Sequence, residues 1–181
     1  MQLFNQLSKL DQRAFLWCAD SCSAKSLIRF ARIISRSGDG YLQVILPLTI
    51  FACLGDGARV YIQLVATSFA IERTLYWLLK NSLKRNRPPV SIPSFTPFIR
   101  ASDEFSFPSG HTSGAFMLAL LTALHFPVLA IPLFIWAVMV GCSRVILGVH
   151  FPADIIAGAC LGSFGAYYCQ QALLSNLLFI Y

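Results

Sequence analysis

Apolar and polar positions divide the chain into a basic amphipathic stretch, a series of long apolar runs and one proline-rich interruption. Over residues 1–40, Phe15, Leu16, Trp17, Leu27, Phe30, Ile33 and Ile34 alternate with Lys25, Arg29, Arg32 and Arg36. Asp20, Lys25 and Arg29 interrupt any continuous apolar span, so an amphipathic helix lying in a membrane interface is predicted here. Ser37-Gly38-Asp39-Gly40 reads as a turn. Apolar runs follow at about Tyr41–Leu54, Arg59–Leu79, His111–Phe126, Val128–Ile146 and Pro152–Leu174. The first is short for a bilayer and needs its flanks or a thinned region to cross. Between the second and third runs stand Pro88, Pro89, Pro93 and Pro97, too many for a regular helix. The fold class predicted is all-α: a polytopic transmembrane helical bundle of about five spans plus the N-terminal interfacial helix. Residues 1–181 form one membrane-embedded domain, and the loop at 81–110 leaves the hydrocarbon.

Composition narrows the class. At 181 residues the chain is one domain by length, 56% hydrophobic and 12% charged, about half the charged share of a soluble protein. The first forty residues lack the continuous apolar core of a cleavable signal. A net charge of +6 in so apolar a chain points to membrane topology and anionic headgroups, and no nucleic-acid motif accompanies it. The six cysteines form neither a disulfide nor a zinc pattern.

Three polar stretches remain. In Ser143–Asp154 the chain brings Arg144, His150 and Asp154 around a predicted helix-to-helix turn, with Pro152 in the first turn of the new helix. His150 and Asp154, four residues apart, can meet, so the carboxylate can hold the imidazole. An oriented histidine is a nucleophile toward phosphorus, and arginine suits phosphate oxygens. Asp154 could equally be a first-turn acid stabilised by the helix dipole. The second stretch is Lys80-x6-Arg87-Pro88, and the third is Pro108-Ser109-Gly110-His111. Ser109 and Gly110 stand at a helix start, where free N–H groups and a close backbone suit an anion. Taken singly, Pro-Ser-Gly is also a plain turn and Lys80 also a snorkelling anchor. Glu72, Tyr76 and Lys80 share one helical stripe, predicted to face the bundle below the site; a structural Glu72–Arg73 pair explains Glu72 without catalysis. His125, at the far end of its run, reads as interfacial.

In this order the three motifs resemble the type 2 phosphatidic acid phosphatase family, the lipid phosphate phosphatases, which share their site with vanadium haloperoxidases. The resemblance covers about residues 35–175, and every signature position is filled. It implies that His150 attacks phosphorus and Asp154 orients it. His111 would protonate the leaving oxygen and then activate water. Lys80, Arg87, Ser109, Gly110 and Arg144 would hold the phosphoryl oxygens. Neither metal nor cofactor is implied. The substrate would be a membrane lipid phosphate: undecaprenyl diphosphate, phosphatidylglycerophosphate or phosphatidate. Members dedicated to undecaprenyl diphosphate often carry Pro-Ser-Asp-His, and Gly110 departs from that. The family places its site on the periplasmic or outer face of a bacterial inner membrane. The positive-inside rule, applied to the basic N-terminal segment with Lys84, Arg85 and Arg100, would place it in the cytoplasm. The rival reading is a non-catalytic lipid-phosphate-binding or transport protein; oligomeric state is not legible.

Overall fold

Every predicted apolar run is a helix in the computed structural model, which describes residues 2–178; the extremities of the 1–181 domain, Met1 and 179–181, lie outside the described residues. The element order is α1 (Gln2–Ser21), α2 (Lys25–Ser37), α3 (Tyr41–Leu54), α4 (Arg59–Leu83), α5 (Pro88–Ser91), α6 (Gly110–His125), α7 (Ala130–Ile146) and α8 (Pro152–Leu178). Single 3-10 turns at Gly55–Ala58 and Pro127–Leu129 join α3 to α4 and α6 to α7. Among the described residues there is no strand.

The N-terminal segment forms two helices rather than one, because residues 22–24 break the periodicity. Both pack on the bundle: α2 lies along α7, and α1 touches α7 and α8. Phe15 of α1 is fully buried, edge-on to Phe95 and Phe151 with ring centroids 4.9 and 5.4 Å away. Such aromatic contacts fix orientation as well as burying area. Helix α4 runs past the predicted Leu79 to Leu83 and stops where Lys84 takes a left-handed conformation, φ 44°, and returns its N–H to the Lys80 carbonyl. The proline-rich loop is irregular apart from one helical turn, α5. This turn survives the prolines because Pro88 and Pro89 occupy its first positions, where a missing N–H costs nothing.

Helix α6 is the central post. Ala115, Met117, Leu118, Ala119 and Leu121 are fully buried, and the helix packs most extensively on α8, then on α7 and α4. Small residues permit the α6–α8 approach. A Cβ at Gly158 would stand 2.5 Å from the Ser109 carbonyl oxygen, and one at Gly162 would collide with that of Ser113. The outer helices turn apolar side chains outward: Trp77 is 62% exposed, Ile131 75%, Phe164 74% and Tyr168 76%. Large apolar surfaces of this kind are uncommon on soluble monomers. By length and composition, the stretches Tyr41–Ser91 and Pro127–Ile146 are apolar enough to cross a membrane. At 16 residues α6 is shorter than such a helix.

Candidate active site

The α7–α8 turn builds the first half of the site. Pro152 opens α8, and Asp154, two positions later in its first turn, reaches back with Oδ2 to accept the Phe151 N–H at 2.8 Å. That is the reciprocal bond of a helix start. The same Oδ2 faces His150 Nδ1 at 3.5 Å, longer than a charge-assisted hydrogen bond. Asp154 is thus a first-turn acid whose carboxylate also faces the imidazole, but without a hydrogen bond: His150 Nδ1 has no hydrogen-bond partner among the described residues. Its other oxygen, Oδ1, accepts from Arg85 Nη1 at 2.7 Å. Arg85 Nη2 in turn meets Asp11 Oδ2 at 2.6 Å, and Asp11 Oδ1 accepts the Ala153 N–H at 2.9 Å. Asp154 is wholly buried, and His150 is 2% exposed. Burial above all, reinforced by Arg87 and partly opposed by Asp154, holds the His150 imidazole down at about 4, so it is neutral at pH 7. With Nδ1 toward the carboxylate, Nε2 is the nitrogen left with a lone pair.

The last turn of α4 and the loop after it supply two cations, Lys80 and Arg87. Arg87 Nη1 donates to the Val149 carbonyl at 2.5 Å and lies 3.4 Å from His150 Nε2. Arg87 Nε donates to the Asp103 carbonyl oxygen at 3.0 Å, and Nη2 pairs with the Asp103 carboxylate. Lys80 Nζ donates to Tyr76 Oη at 2.5 Å and to Asp103 Oδ2 at 2.6 Å. Tyr76 Oη completes the group by donating to Asp103 Oδ2 at 2.8 Å. Burial alone would raise the Asp103 carboxyl, but the bonds from Lys80 and Tyr76 and the charges of Lys80 and Arg87 bring it to about 2. Asp103 lines the cavity described below and Lys80 does not, so the carboxylate stands between the lysine and the cavity.

The start of α6 provides the opposite wall. His111 Nε2 lies 2.7 Å from Asp39 Oδ1, in the turn between α2 and α3. Gly110 is held from behind: its carbonyl accepts from Arg73 Nη2 at 3.1 Å, and a Cβ there would stand 2.9 Å from Tyr76 Cε2. A larger residue at 110, aspartate included, requires Tyr76 to move. The predicted Glu72–Arg73 pair is present at 2.5 Å, with Glu72 fully buried and also bonded by the Ser113 hydroxyl. Ser109 is buried, its hydroxyl accepting from Thr112 at 3.0 Å, and it does not line the cavity. Arg144, 5% exposed, donates from Nη1 to Ser35 Oγ of α2 at 2.6 Å.

One open cavity of about 950 Å³ joins these walls. Of the residues singled out by sequence, Arg87, Gly110, His111, Arg144 and His150 line it. Lys80, Ser109 and Asp154 stand one layer behind. Arg85, Asp103, Asp39 and Asp11 are additions that the motifs do not announce. His125, at the other end of α6, lies away from the cavity and contacts Gln170 at 3.1 Å. Among the described residues no three His, Cys, Asp or Glu side chains converge as metal ligands.

The family model described as the PAP2 superfamily matches residues 60–176. The chain is 40% identical over 108 residues to the lipid A 1-phosphatase of Rhizobium johnstonii, covering 56% of this chain and 41% of that protein. It is 34% identical over 139 residues to phosphatidylglycerophosphatase B of Bacillus subtilis, covering 68% and 64% of the two. The chain thus spans about two fifths of the first relative's length and less than two thirds of the second's. Among solved structures, the transmembrane PAP2 type phosphatidylglycerolphosphate phosphatase from Bacillus subtilis superposes with a TM-score of 0.76 at 24% identity, over 94% of this chain and 88% of that one. Aquifex aeolicus LpxE superposes with a TM-score of 0.74 at 25% identity, over 88% and 93%.

Proposed function

The chain belongs to the PAP2 superfamily, and we propose that it is an integral membrane phosphatase that removes the terminal phosphate of a lipid phosphate or diphosphate through a phosphohistidine intermediate. The observation that carries this reading is convergence. Arg87, Gly110, His111, Arg144 and His150, drawn from three separate segments, line a single cavity. Phosphoryl transfer needs positioning and positive potential around oxygens that gain charge, and this wall supplies both.

In the first step the His150 Nε2 lone pair attacks phosphorus. The ester P–O bond breaks with its electrons on the leaving oxygen, which takes a proton from His111. A water then gives a proton to His111 and attacks phosphorus. The P–N bond breaks, its electrons return to Nε2, and orthophosphate leaves. Arg87, Arg144 and the N–H groups at the start of α6 hold the phosphoryl oxygens. Lys80 adds charge from behind and reaches the phosphate only if Asp103 yields its place. Ser109 supports the loop through its backbone, its N–H donating to the Asp154 carbonyl at 3.0 Å. Asp154, held by Arg85, orients the nucleophile and stabilises the cation it becomes.

We place the bundle across a bacterial inner membrane with about five spans, α3, α4, α6, α7 and α8, and with α1 and α2 near the interface on the site's side. Supporting this are the outward apolar faces and the two stretches that qualify as spans by composition. The site is assigned to the periplasmic face. The contrary charge bias is weaker than the sequence count suggests, since Arg85 is committed to Asp154 and Asp11 as Lys80, Arg87 and Arg144 are to the site. Relatives named lipid A 1-phosphatase and phosphatidylglycerophosphatase B favour lipid-linked phosphates as the substrate class. Undecaprenyl diphosphate, phosphatidylglycerophosphate and phosphatidate are the arms of the test.

That test is phosphate release by detergent-purified protein in the presence of a chelator, with a soluble ester as a fourth substrate and His150→Ala alongside. Release that resists the chelator and vanishes in the variant, together with an acid-labile phosphoprotein, is the expected result. A protein that binds these lipids without releasing phosphate would establish the binding-only alternative instead.

A further inference from the structure

The acid–base histidine has a partner that lies outside the matched family segment. His111 Nε2 and Asp39 Oδ1 are 2.7 Å apart, both residues line the cavity, and they are 72 positions apart in the chain. The family-model match begins at residue 60, so Asp39 lies outside the matched segment and is none of the signature residues. A carboxylate has no proton to donate, so Nε2 must be the N–H of this hydrogen bond. The imidazole is thereby fixed as one tautomer, and Nδ1 is the nitrogen left to exchange protons.

Asp39 is not a side chain on a loose loop. Its N–H and that of Gly38 return to the Arg36 and Ser35 carbonyls, each at 3.1 Å. Gly38 sits so close to α7 that a Cβ would stand 2.8 Å from Val140 Cγ1, and Gly40, φ 110°, turns the chain into α3. Two side chains of α7 fasten the segment before the turn: Arg144 Nη1 to Ser35 Oγ at 2.6 Å, and the Trp136 indole N–H to Ser37 Oγ at 2.8 Å. A carboxylate that holds one nitrogen of a catalytic imidazole sets both the tautomer and the orientation, and steadies the imidazolium form.

We propose that Asp39 is the positioning residue of the acid–base histidine and that Nδ1 of His111 is the atom that exchanges the proton. This rests on the phosphatase reading above. As the ester P–O bond breaks, its electron pair goes to the leaving oxygen. That oxygen takes the Nδ1 proton, and the N–H pair stays on Nδ1. In the second half Nδ1 takes a proton from the water that attacks phosphorus, while the P–N electrons return to His150. Through both halves Nε2–H remains donated to Asp39, which stays ionised and touches neither substrate nor phosphorus.

Proton donation matters in proportion to how poor the leaving group is, so the test compares two esters. Purified full-length protein, Asp39→Ala, Asp39→Asn and His111→Ala are assayed on phosphatidate, an alkyl ester, and on p-nitrophenyl phosphate, an aryl ester with a stable leaving group. Orthovanadate inhibition reports the phosphate-holding wall. For both Asp39 variants kcat/KM on phosphatidate, which reports the steps up to departure of the leaving group, should fall about 10- to 100-fold, part of the 10²–10⁴ that general acid–base catalysis supplies. On the aryl ester kcat/KM should stay within about threefold, kcat should fall on both esters because the water step is shared, and orthovanadate affinity should be unchanged. His111→Ala should show the same selectivity, more strongly. Equal loss of kcat/KM on both esters, or no loss on either, while His111→Ala discriminates between them, overturns the role of Asp39 and leaves His111 standing. A His111→Ala variant without leaving-group selectivity overturns the acid assignment and this proposal with it. Asp39→Asn, nearly isosteric, decides between these outcomes if the alanine variant does not fold.

Discussion

Two imidazole–carboxylate pairs face the same cavity, and they are built in opposite ways. His150 and Asp154 lie four residues apart in one stretch, and both are buried, the histidine at 2% exposure and the aspartate at 0%. The carboxylate is gripped further by Arg85. His111 and Asp39 come from distant segments, at 22% and 42% side-chain exposure, and meet only because α2 is fastened to α7. A nucleophile must stay neutral and aimed, which burial accomplishes. A proton carrier must also exchange with water, which deep burial would slow. In the mechanism proposed above, the deep pair is assigned the first task and the shallow pair the second.

The largest expected effect breaks the comparison open. His150→Ala should lower kcat by at least about a thousandfold on alkyl and aryl esters alike, because no nucleophile remains whatever the leaving group. Single-turnover phosphate release on both esters checks it, and substantial residual turnover would remove His150 from its assigned role. Next comes Arg85→Gln, which leaves Asp154 and Asp11 without their shared cation. It should lower kcat about 10- to 100-fold, the scale of losing an outer-layer partner of a functional side chain, without favouring either ester. A loss confined to phosphatidate would instead tie Arg85 to the acid pair.

A shift in pH profile sharpens the contrast further. Because His150 is held down at about 4, it is already neutral at pH 7 and loses its nucleophilic lone pair only as pH falls through that value. The acid limb of kcat/KM on the aryl ester, where His111 matters least, should therefore fall near pH 4 and not near the ordinary imidazole value of about 6.5. A limb near 6.5 would mean the imidazole is less sequestered than described. The smallest effect lies at the far end of the bundle, where Tyr61 Oη and Thr122 Oγ1 share a buried 2.8 Å bond. Tyr61→Phe should cost about 1–2 kcal/mol of stability by thermal unfolding in detergent and leave kcat unchanged on both esters.

What can be read from the sequence follows the same division. The His150–Asp154 pair is legible because Pro152 sets the helix start and a four-residue spacing suffices to bring Asp154 back to face His150. Helix positions are legible wherever an apolar run ends at Gly, Pro or a charge. The single helical turn at Pro88–Ser91 escapes that reading because proline excludes a helix interior but not its first turn. Asp39 reads only as part of a turn, since nothing in Ser-Gly-Asp-Gly signals a partner 72 residues away. Arg85 reads as a topology charge, and its bridge between Asp11 and Asp154 spans the N-terminal helix and the last one. Asp103 lies in a loop whose path over Lys80 and Arg87 depends on packing, including the Phe98 N–H bond to the Leu147 carbonyl at 3.1 Å. Local chemistry is written in spacing; chemistry assembled by packing is not.

The glycine seam between α6 and α8 acts as a gauge. His111 stands one residue into α6 and Asp154 two residues into α8. At Gly158 and Gly162 the two helices meet backbone to backbone, with no side chain between them to compress or change rotamer. The spacing from His111 to Asp154 is therefore ruled by the least deformable surfaces a protein has. That gauge sits four and eight residues past Asp154, deeper in the bundle and out of the cavity's reach.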